Sequence, residues 1–211
     1  MDGDYGLYQL GGLDGVRNTY PIVKGVDNDP AVIPFSSDIK FNLIIRDMKK
    51  ENLNPISAEE NMFVFLKGAP ERVLERCSSI LMNGEDRPLD SNFKFLIDAA
   101  NARFGSMGER VLAFARTKLD PLDFKKSGYP FDVKKWKSWK DVKEHDHGIS
   151  GWFPMHNLQL IGLVSLNDPP RPGVDLSVLK CRTAGIKVIM VTGDQPFTAA
   201  AIAHKVNIIS D

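Results

Sequence analysis

The sequence predicts an α+β protein in which an antiparallel sheet flanked by helices is followed by a partial α/β layer. Between residues 30 and 166, short strand-like runs with apolar residues are interleaved with helical segments. Residues 169–211 instead follow a β-α-β-α order with a fully apolar strand, which is typical of parallel sheets. The change at Asp168 sets a domain boundary, and we expect three segments, at residues 1–29, 30–166 and 167–211.

The strand-like runs are short, apolar or alternating, and bounded by turn residues. A further run begins at Ile186 and leads into Thr192-Gly193-Asp194. It is apolar almost throughout, so we expect it to pair with parallel neighbours and to be covered on both faces. The runs that we assign to the antiparallel sheet are residues 31–35, 41–46, 61–68, 109–119 and 158–166.

The helices are predicted from capping residues and apolar spacing. Pro70 fits the first turn of a helix that continues to Cys77, and Pro196 fits the first turn of the last helix. Asp90 or Ser91 is the expected N-cap of the long helix between the third and fourth strands. The glycines expected to end helices are Gly105 or Gly108 and Gly185.

Composition excludes some classes of function. The chain has 27 Lys plus Arg and 27 Asp plus Glu among its 211 residues, and this zero net charge gives no reason to expect nucleic acid as a partner. The longest apolar runs fall far short of the roughly 20 residues that a membrane-spanning helix needs. Residues 1–29 are rich in Gly and Asp, show no signal-peptide pattern, and are expected to be poorly ordered. We therefore expect a soluble chain.

The segment Thr192-Gly193-Asp194 lies between an apolar strand and a helix. Ligands bind at the carboxyl edge of parallel sheets, and the free N–H groups of the following helix favour phosphate there. Thr192 and Asp194 also fit a simple capping role. The residues alone leave both interpretations open.

Lys67 and Gly68 stand at another junction between a strand and a helix. The segment is not a Walker loop, because the second Gly and the Gly-Lys-hydroxyl group of that motif are missing. Lys67 is therefore either a residue of an ordinary strand-to-helix junction or a contact for an anion. Phe35 with Lys40 and Asn42 would suit a purine and its phosphates, although an aromatic residue near a strand is more often part of the core.

Three further polar residues stand near strand ends. Asp168 offers an acceptor and Arg171 a forked donor at the predicted domain junction, where clefts often bind ligands. A rigid Pro-rich turn also explains this segment, and the residues alone favour that explanation. Arg110, at the start of a strand, is by itself a solvated arginine.

Two patterns that resemble functional motifs are rejected. His145 and His147 flank an Asp, but they lie in the mixed-charge segment 120–157, and no Cys or third His is near. We interpret this segment as a long surface loop or a short amphipathic excursion. Asp2 and Asp4 resemble an Asp-x-Asp nucleophile, but no apolar strand precedes them. We therefore predict no metal site in this chain.

Several stretches together resemble the cytoplasmic region of P-type cation-transporting ATPases. They are "FLKGAPERVLERCSSIL" at 65–81, "GERVLAF" at 108–114, "LIGLVSLNDPPRPGV" at 160–174 and "KCRTAGIKVIMVTGDQPFTAAAIAHKVNIIS" at 180–210. The resemblance covers about residues 31–211 and is strongest to the alpha subunits of sodium/potassium and proton/potassium pumps. It implies a nucleotide-binding domain followed by a partial haloacid dehalogenase-like phosphorylation domain, in a cytoplasmic segment of an integral membrane protein.

The resemblance also implies roles for individual residues. It implies that Phe35 stacks on adenine and that Lys67 and Gly68 border the ATP pocket. Thr192, Gly193 and Asp194 match the family's segment near the transferred phosphoryl group. The other implied nucleotide-binding residues are Lys40, Asn42 (where close relatives have Gln), Arg110, Asp168 and Arg171. ATP would be the ligand, with Mg²⁺ in the intact pump, and the partners would be the actuator, phosphorylation and membrane domains.

The departures from the family limit what this chain is expected to do. The Asp-Lys-Thr-Gly-Thr nucleophile and the later Thr-Gly-Asp-Gly-Val-Asn-Asp motif are absent from the sequence. We therefore expect ATP binding without hydrolysis, and self-association through uncovered apolar surfaces at 160–166 and 186–191. The alternatives are a stand-alone haloacid dehalogenase-type phosphohydrolase, which would need an Asp-x-Asp-x-Thr strand end, and a module that binds no nucleotide.

Overall fold

The computed structural model describes residues 11–48, 62–119 and 156–209. By contacts between its residues, the chain divides into two compact units. The first comprises residues 1–88 and 113–162, and the second comprises 89–112 and 163–211. The predicted loop at 120–157 lies almost wholly outside the described residues, as do the rejected motifs at 2–6 and 145–147. The domain boundaries proposed from the sequence stay predictions.

The first unit is built on a seven-stranded sheet with the order β1-β2-β3-β6-β7-β4-β5. Neighbouring strands are antiparallel in the pairs β1–β2, β2–β3, β3–β6 and β4–β5, whereas β4 and β7 run parallel. The strands are β1 (Val32–Ile33), β2 (Phe41–Asp47), β3 (Met62–Gly68), β4 (Cys77–Met82), β5 (Glu85–Pro88), β6 (Arg110–Lys118) and β7 (Leu158–Leu166).

The prediction of an antiparallel sheet is therefore corrected to a mixed sheet flanked by helices. A parallel pair needs a crossover of a dozen residues or more. The chain between Met82 and Leu158 is far longer than that, so it can return to the same end of the sheet. Apolar alternation within β7 does not reveal the direction of its neighbour, which is why the sequence pattern did not predict the parallel pair.

The central strands have one buried face. Phe41, Leu43 and Ile45 on β2 alternate with half-buried residues, and Val64 and Leu66 on β3 do the same. Each fully buried side chain of this size contributes about 1.5–3 kcal/mol. Because side chains alternate along a strand, the other face of β2 and β3 is left partly accessible.

A short helix and a hairpin follow β3. The helix α2 covers Pro70–Leu74, so the prediction that it continues to Cys77 is wrong, because Cys77 begins β4. The strands β4 and β5 were not predicted. They are joined by Asn83 and Gly84, whose φ angles of 52° and 83° suit a tight hairpin turn.

The amino-terminal residues are more regular than expected. Helix α1 covers Gly12–Thr19, and a short 3₁₀ turn covers Val26–Asn28. Isolated bridges then pair Ile22 with Arg46 on β2 and Lys24 with Pro30. Because α1 contains two glycines, the apolar spacing within it is too weak to predict a helix.

The second unit contains helices α3 (Ser91–Ser106), α4 (Val174–Thr183) and α5 (Pro196–Lys205). Asp90 is the N-cap of α3, as predicted, and its Oδ1 accepts a hydrogen bond from the backbone N–H of Phe93 at 2.8 Å. The helices α3 and α5 are packed together, and Thr198 of α5 donates to the Glu109 carbonyl at 3.3 Å. None of the helices in the described residues is long and apolar enough to cross a bilayer.

The predicted parallel strand at Ile186–Val191 does not form. These residues have no strand structure, and Ile189 and Val191 are 70% and 93% exposed. A strand needs a neighbour to satisfy its backbone groups, and within residues 11–48, 62–119 and 156–209 no strand pairs with this segment. The haloacid dehalogenase-like layer is therefore not confirmed.

Candidate functional site

A cavity of about 430 Å³ lies in the first unit, on the half-buried face of the central strands. Most of its lining residues belong to β2, β3 and β6, and α1 and β7 contribute one each. The lining residues combine aromatic rings, aliphatic side chains, one amide and two cations. They are Val16, Tyr20, Asn42, Ile44, Arg46, Met48, Phe65, Leu66, Lys67, Phe114, Ala115 and Ile161.

Strand register places three of these residues in one row. Lys67 on β3 is opposite Asn42 on β2 and opposite Phe114 on β6. Cross-strand neighbours of this kind have Cβ atoms about 4.5–5.5 Å apart. The Nδ2 group of Asn42 donates to the Ile33 carbonyl at 2.8 Å, which fixes this side chain against β1. The row therefore offers an amide, an ammonium group and an aromatic ring side by side.

The charges in the cavity are of one sign. Lys67 and Arg46 are among the lining residues, and no lining residue is an Asp or a Glu. Phe65 on β3 is paired with Ile44 on β2. This pair lies between the strand positions of Lys67 and Arg46. The arrangement suits a ligand that has an anionic group and a flat apolar ring.

Gly68 explains the strand-to-helix junction that follows Lys67. A Cβ at this position would overlap the Lys40 carbonyl oxygen and would lie 2.6 Å from the Phe41 Cα. The backbone N–H of Ala69 donates to the same Lys40 carbonyl at 2.9 Å, and Lys40 itself has a φ of 58°. Gly68 is thus required for close approach of two backbone segments beside the Lys67 row.

The structure unites only part of the predicted nucleotide site. Asn42 and Lys67 line the same cavity, and Lys40 and Gly68 meet through their backbones. Phe35 is 65% exposed and is not a lining residue.

Two predicted residues of the second unit form an ion pair. The Nη2 of Arg110 lies 2.7 Å from Asp194 Oδ1, and its Nε lies 3.2 Å from the same oxygen. Thr192 Oγ1 donates to Asp194 Oδ2 at 2.8 Å and accepts from the Asp194 N–H at 3.1 Å. Asp168, Arg171 and Gly193 are exposed.

The pKa of Asp194 lies below its ordinary value. Partial burial by itself raises this pKa, but the hydrogen bonds from Thr192 and Arg110 and the charge of Arg110 outweigh it. The carboxylate is therefore ionised at neutral pH and is already engaged by neighbouring side chains. The segment Thr192-Gly193-Asp194 is thus held by hydrogen bonds between Thr192 and Asp194 and by the ion pair of Asp194 with Arg110.

Sequence reasoning missed four lining residues with informative chemistry: Tyr20, Arg46, Phe65 and Phe114. Phe65 and Lys67 are two residues apart on one strand, so they share a face, and the same spacing relates Asn42 to Ile44 and Arg46. On β6, Ala113 and Ala115 are buried, which leaves Phe114 on the opposite face. Because side chains two residues apart on a strand share a face, the strand pattern together with Lys67 and Asn42 would have identified Phe65, Arg46 and Phe114, whereas Tyr20 caps α1 and lies on no strand.

The second unit has a larger and more open cavity of about 680 Å³. It is lined mainly by aliphatic residues of the 185–190 segment and α5, with Arg182 and Lys187 beside them. No aromatic ring lines it, so it lacks the stacking surface of the first cavity. Among residues 11–48, 62–119 and 156–209, no cluster of three or more His, Cys, Asp or Glu is placed to hold a metal ion.

Comparison with known proteins identifies the family. A sequence model described as "P-type ATPase, cytoplasmic domain N" matches residues 12–173. This chain belongs to the P-type ATPase family. The match includes α1 and all seven strands of the sheet, so it begins earlier than the resemblance at residues 31–211 that the motifs indicated. The resemblance itself is confirmed.

One relative shows how the length of this chain compares with that of a complete pump subunit. The chain is 44% identical over 187 residues to the sodium/potassium-transporting ATPase subunit alpha of Tetronarce californica. The aligned part covers 88% of this chain and 16% of that relative. The chain therefore corresponds to a small part of a much longer P-type ATPase.

Proposed function

We propose that the cavity of the first unit binds ATP, and that the chain is the nucleotide-binding part of a cation-transporting P-type ATPase. The observation that supports this most directly is the row Asn42, Lys67 and Phe114 on one face of the sheet. An aromatic ring provides a stacking surface for a base, and a lysine provides a charge-assisted hydrogen bond to phosphate. Because the chain matches a P-type ATPase family model, we take ATP as the nucleotide.

The expected affinity is weak. Stacking of a base on an aromatic ring contributes about 1–3 kcal/mol, and a charged hydrogen bond to phosphate contributes roughly 1.5–3 kcal/mol when it is desolvated. Lys67 is exposed, so its contribution lies at or below the lower end. Ordering of the ligand and side chains offsets much of the sum. We expect a Kd on the order of 0.1–1 mM, or about −4 to −5.5 kcal/mol.

Residues outside the cavity lining extend this proposal. The exposed ring of Phe35 offers a surface that adenine can cover, and exposed Lys40 offers a second cation for phosphate. Gly68 keeps the backbone beside Lys67 in place. Roles in nucleotide binding for the second-unit residues Arg110, Asp168, Arg171, Thr192, Gly193 and Asp194 remain proposals that rest on the family resemblance.

The chain is proposed to bind ATP without hydrolysing it. In the intact pump, ATP would phosphorylate an aspartate, with Mg²⁺ held by motifs elsewhere in the pump, and phosphorylation would drive cation transport. The sequence here contains no Asp-Lys-Thr-Gly-Thr, so the nucleophile for this covalent step is missing. A phosphohydrolase of the haloacid dehalogenase type would instead release phosphate, which separates the two hypotheses.

The test is an NMR titration with ATP, alongside a phosphate-release assay. Lys67→Ala and Phe114→Ala should each weaken binding several-fold, and Phe35→Ala should do the same if its ring stacks on adenine. Lys94→Ala, which removes an exposed lysine of α3, is the control and should bind ATP like the unaltered chain. Absence of shifts around Lys67 and Phe114 at several millimolar ATP would refute the ATP site. Phosphate release that is lost with Thr192→Ala would refute binding without hydrolysis.

We also infer that copies of the chain associate with one another. The apolar segment Ile186–Val191 has no strand or helix structure and is largely exposed, and unpaired segments of high β-propensity offer a template for pairing with another chain. In an intact pump, the rest of the phosphorylation domain would cover the same residues. The segment is thus proposed as the surface through which this part of the pump meets its neighbours.

A further inference from the structure

Arg46 is one of the residues that line the proposed ATP cavity. It lies on β2, on the same face as Asn42 and four residues further along, which is about 13 Å at roughly 3.3 Å per residue. Its side chain is half-buried and lines the cavity together with Tyr20 and Ile44. No role in ligand binding was predicted for it.

The guanidinium of Arg46 is attached to the end of α1. Its Nη1 donates to the carbonyl oxygen of Tyr20. Tyr20 is the C-cap of α1, and its own N–H donates to the Val16 carbonyl at 2.9 Å. Arg46 therefore holds the residue at which the helix ends.

The backbone beyond Tyr20 is also attached to β2. The N–H of Asp47 donates to the Pro21 carbonyl at 3.0 Å, and the N–H of Val23 donates to the Ile45 carbonyl at 3.0 Å. Ile22 and Arg46 form the bridge between these bonds. Arg46 thus contributes a side-chain bond to a segment whose backbone is already in register, which gives this bond a defined geometry.

Helix α1 depends on such contacts. It has only eight residues, of which Gly12 and Gly15 are glycines, and none of the eight is buried. Helices shorter than about 12–15 residues are marginal in water without tertiary contacts. Nevertheless, α1 supplies Val16, and its C-cap supplies Tyr20, to the cavity wall. The wall is therefore formed by an element with little stability of its own.

We propose that Arg46 is a positioning residue of the cavity, which holds α1 against β2 by its bond to Tyr20 so that Val16 and Tyr20 form a wall for the nucleotide. The inference rests on the proposed ATP site. ATP binding and the ordering of α1 are then linked, and by thermodynamic reciprocity each favours the other.

Arg46 keeps its charge although its surroundings disfavour it. Burial lowers the pKa of Arg46, and the nearby charge of Arg17 lowers it further. An arginine nevertheless stays protonated in proteins, so the bond to the Tyr20 carbonyl is charge-assisted. The partly desolvated position strengthens this bond relative to one on an open surface.

The test combines hydrogen exchange without ATP and ATP titration, on the 211-residue chain. In Arg46→Ala, backbone exchange in residues 12–20 should become about tenfold faster, the scale of one charge-assisted hydrogen bond, and ATP affinity should fall several-fold. Arg46→Lys keeps a charged donor and should restore most of both properties. Arg87→Ala, which removes an exposed arginine of β5, is the control and should change neither.

Two results would overturn the proposal. Unchanged exchange in residues 12–20 of Arg46→Ala would show that the bond does not hold α1. Faster exchange in residues 12–20 of Arg46→Ala with unchanged ATP affinity would show that the wall formed by α1 does not contribute to nucleotide binding. Loss of exchange protection in β2 and β3 of Arg46→Ala would mean that this variant disturbs the sheet. The test then uses Arg46→Lys in its place, and any fall in ATP affinity of that variant must accompany faster exchange in residues 12–20. If Lys67→Ala leaves ATP binding intact while Arg46→Ala frees α1, the ATP site fails and the role of Arg46 in holding α1 stands.

Discussion

At the scale of single residues, Gly68 shows how a residue that cannot contact a ligand by a side chain still shapes the site. Gly68→Ala would place a Cβ 2.6 Å from the Phe41 Cα and against the Lys40 carbonyl. Backbone atoms cannot move aside as a flexible side chain can, so we expect a loss of about 1–3 kcal/mol in the free energy of unfolding. Urea unfolding measures this loss.

The control for Gly68→Ala is Gly193→Ala. A Cβ at Gly193 would meet no atom within 4 Å, so this variant should unfold within about 0.5 kcal/mol of the unaltered chain. Equal stabilities of the two alanine variants would mean that the β2–β3 junction relaxes, and the close approach would then not explain the glycine.

Asp194 gives the chain a predictable dependence on acid. Its pKa is lower in the folded chain than in the unfolded chain, where it is about 3.9, so the ion pair with Arg110 adds stability above that pH. The contribution is lost as the pH falls through the folded-state pKa. Arg110 is 59% exposed, so the pair is worth at most about 1 kcal/mol.

Urea unfolding of Asp194→Asn at several pH values tests this prediction. The variant should be less stable than the unaltered chain at pH 7, and the difference should shrink as the pH falls below about 4 and through the lower folded-state pKa of Asp194. Arg110→Ala should remove the same contribution, so the double variant should be little worse than either single variant. A difference that is constant with pH would contradict the role of the ion pair.

The site residues that sequence analysis identified and those that it missed differ in a physical way. Lys67 and Gly68 stand at a junction between a strand and a helix, where a charge and a missing side chain are conspicuous. Phe65 and Phe114 lie within apolar strands, where an aromatic residue is indistinguishable from core until the register is known. Their role becomes visible only when β2, β3 and β6 are placed side by side.

At the scale of elements, local signals decide where a helix begins. Asp90 caps α3 through its bond to Phe93 N–H, and Asp90→Ala should cost about 1 kcal/mol in the free energy of unfolding. Asp90→Asn retains an acceptor and should cost much less. Chemical denaturation compares the two variants, and a loss as large for Asn as for Ala would mean that the cap bond is not the source of stability.

Strands are harder to predict than helices because a strand needs a partner that may be distant in sequence. The Asn83-Gly84 turn is a strong local hairpin signal, and applying it would have found β4 and β5. Ile186–Val191 has the composition of a buried parallel strand, yet it remains unpaired in the described residues. Apolar composition alone therefore does not produce a strand, because the backbone of this segment needs a neighbour and none of the described strands pairs with it.

At the scale of the whole molecule, the family match and the exposed segment lead to one prediction about assembly. The chain aligns with 16% of the length of a sodium/potassium-transporting ATPase subunit alpha, and the segment Ile186–Val191 is largely exposed in the part of the chain that the structure describes. Ile189 and Val191 are among the most exposed apolar side chains of the described residues. We expect sedimentation to show oligomers that increase with protein concentration.

Changing the exposed segment should reduce this association. Burial of an aliphatic side chain contributes about 1.5–3 kcal/mol, so Ile189→Lys with Val191→Lys should weaken association at least tenfold, or about 1.4 kcal/mol, and charged residues also disfavour edge pairing. Leu13→Lys alters an equally apolar, exposed residue of α1 and should leave association unchanged.

A sharp monomer of the unaltered chain at high concentration would contradict the assembly prediction. Equal association of the doubly substituted chain would place the contact on another surface, because a strand pair centred on residues 186–191 cannot tolerate two buried lysines.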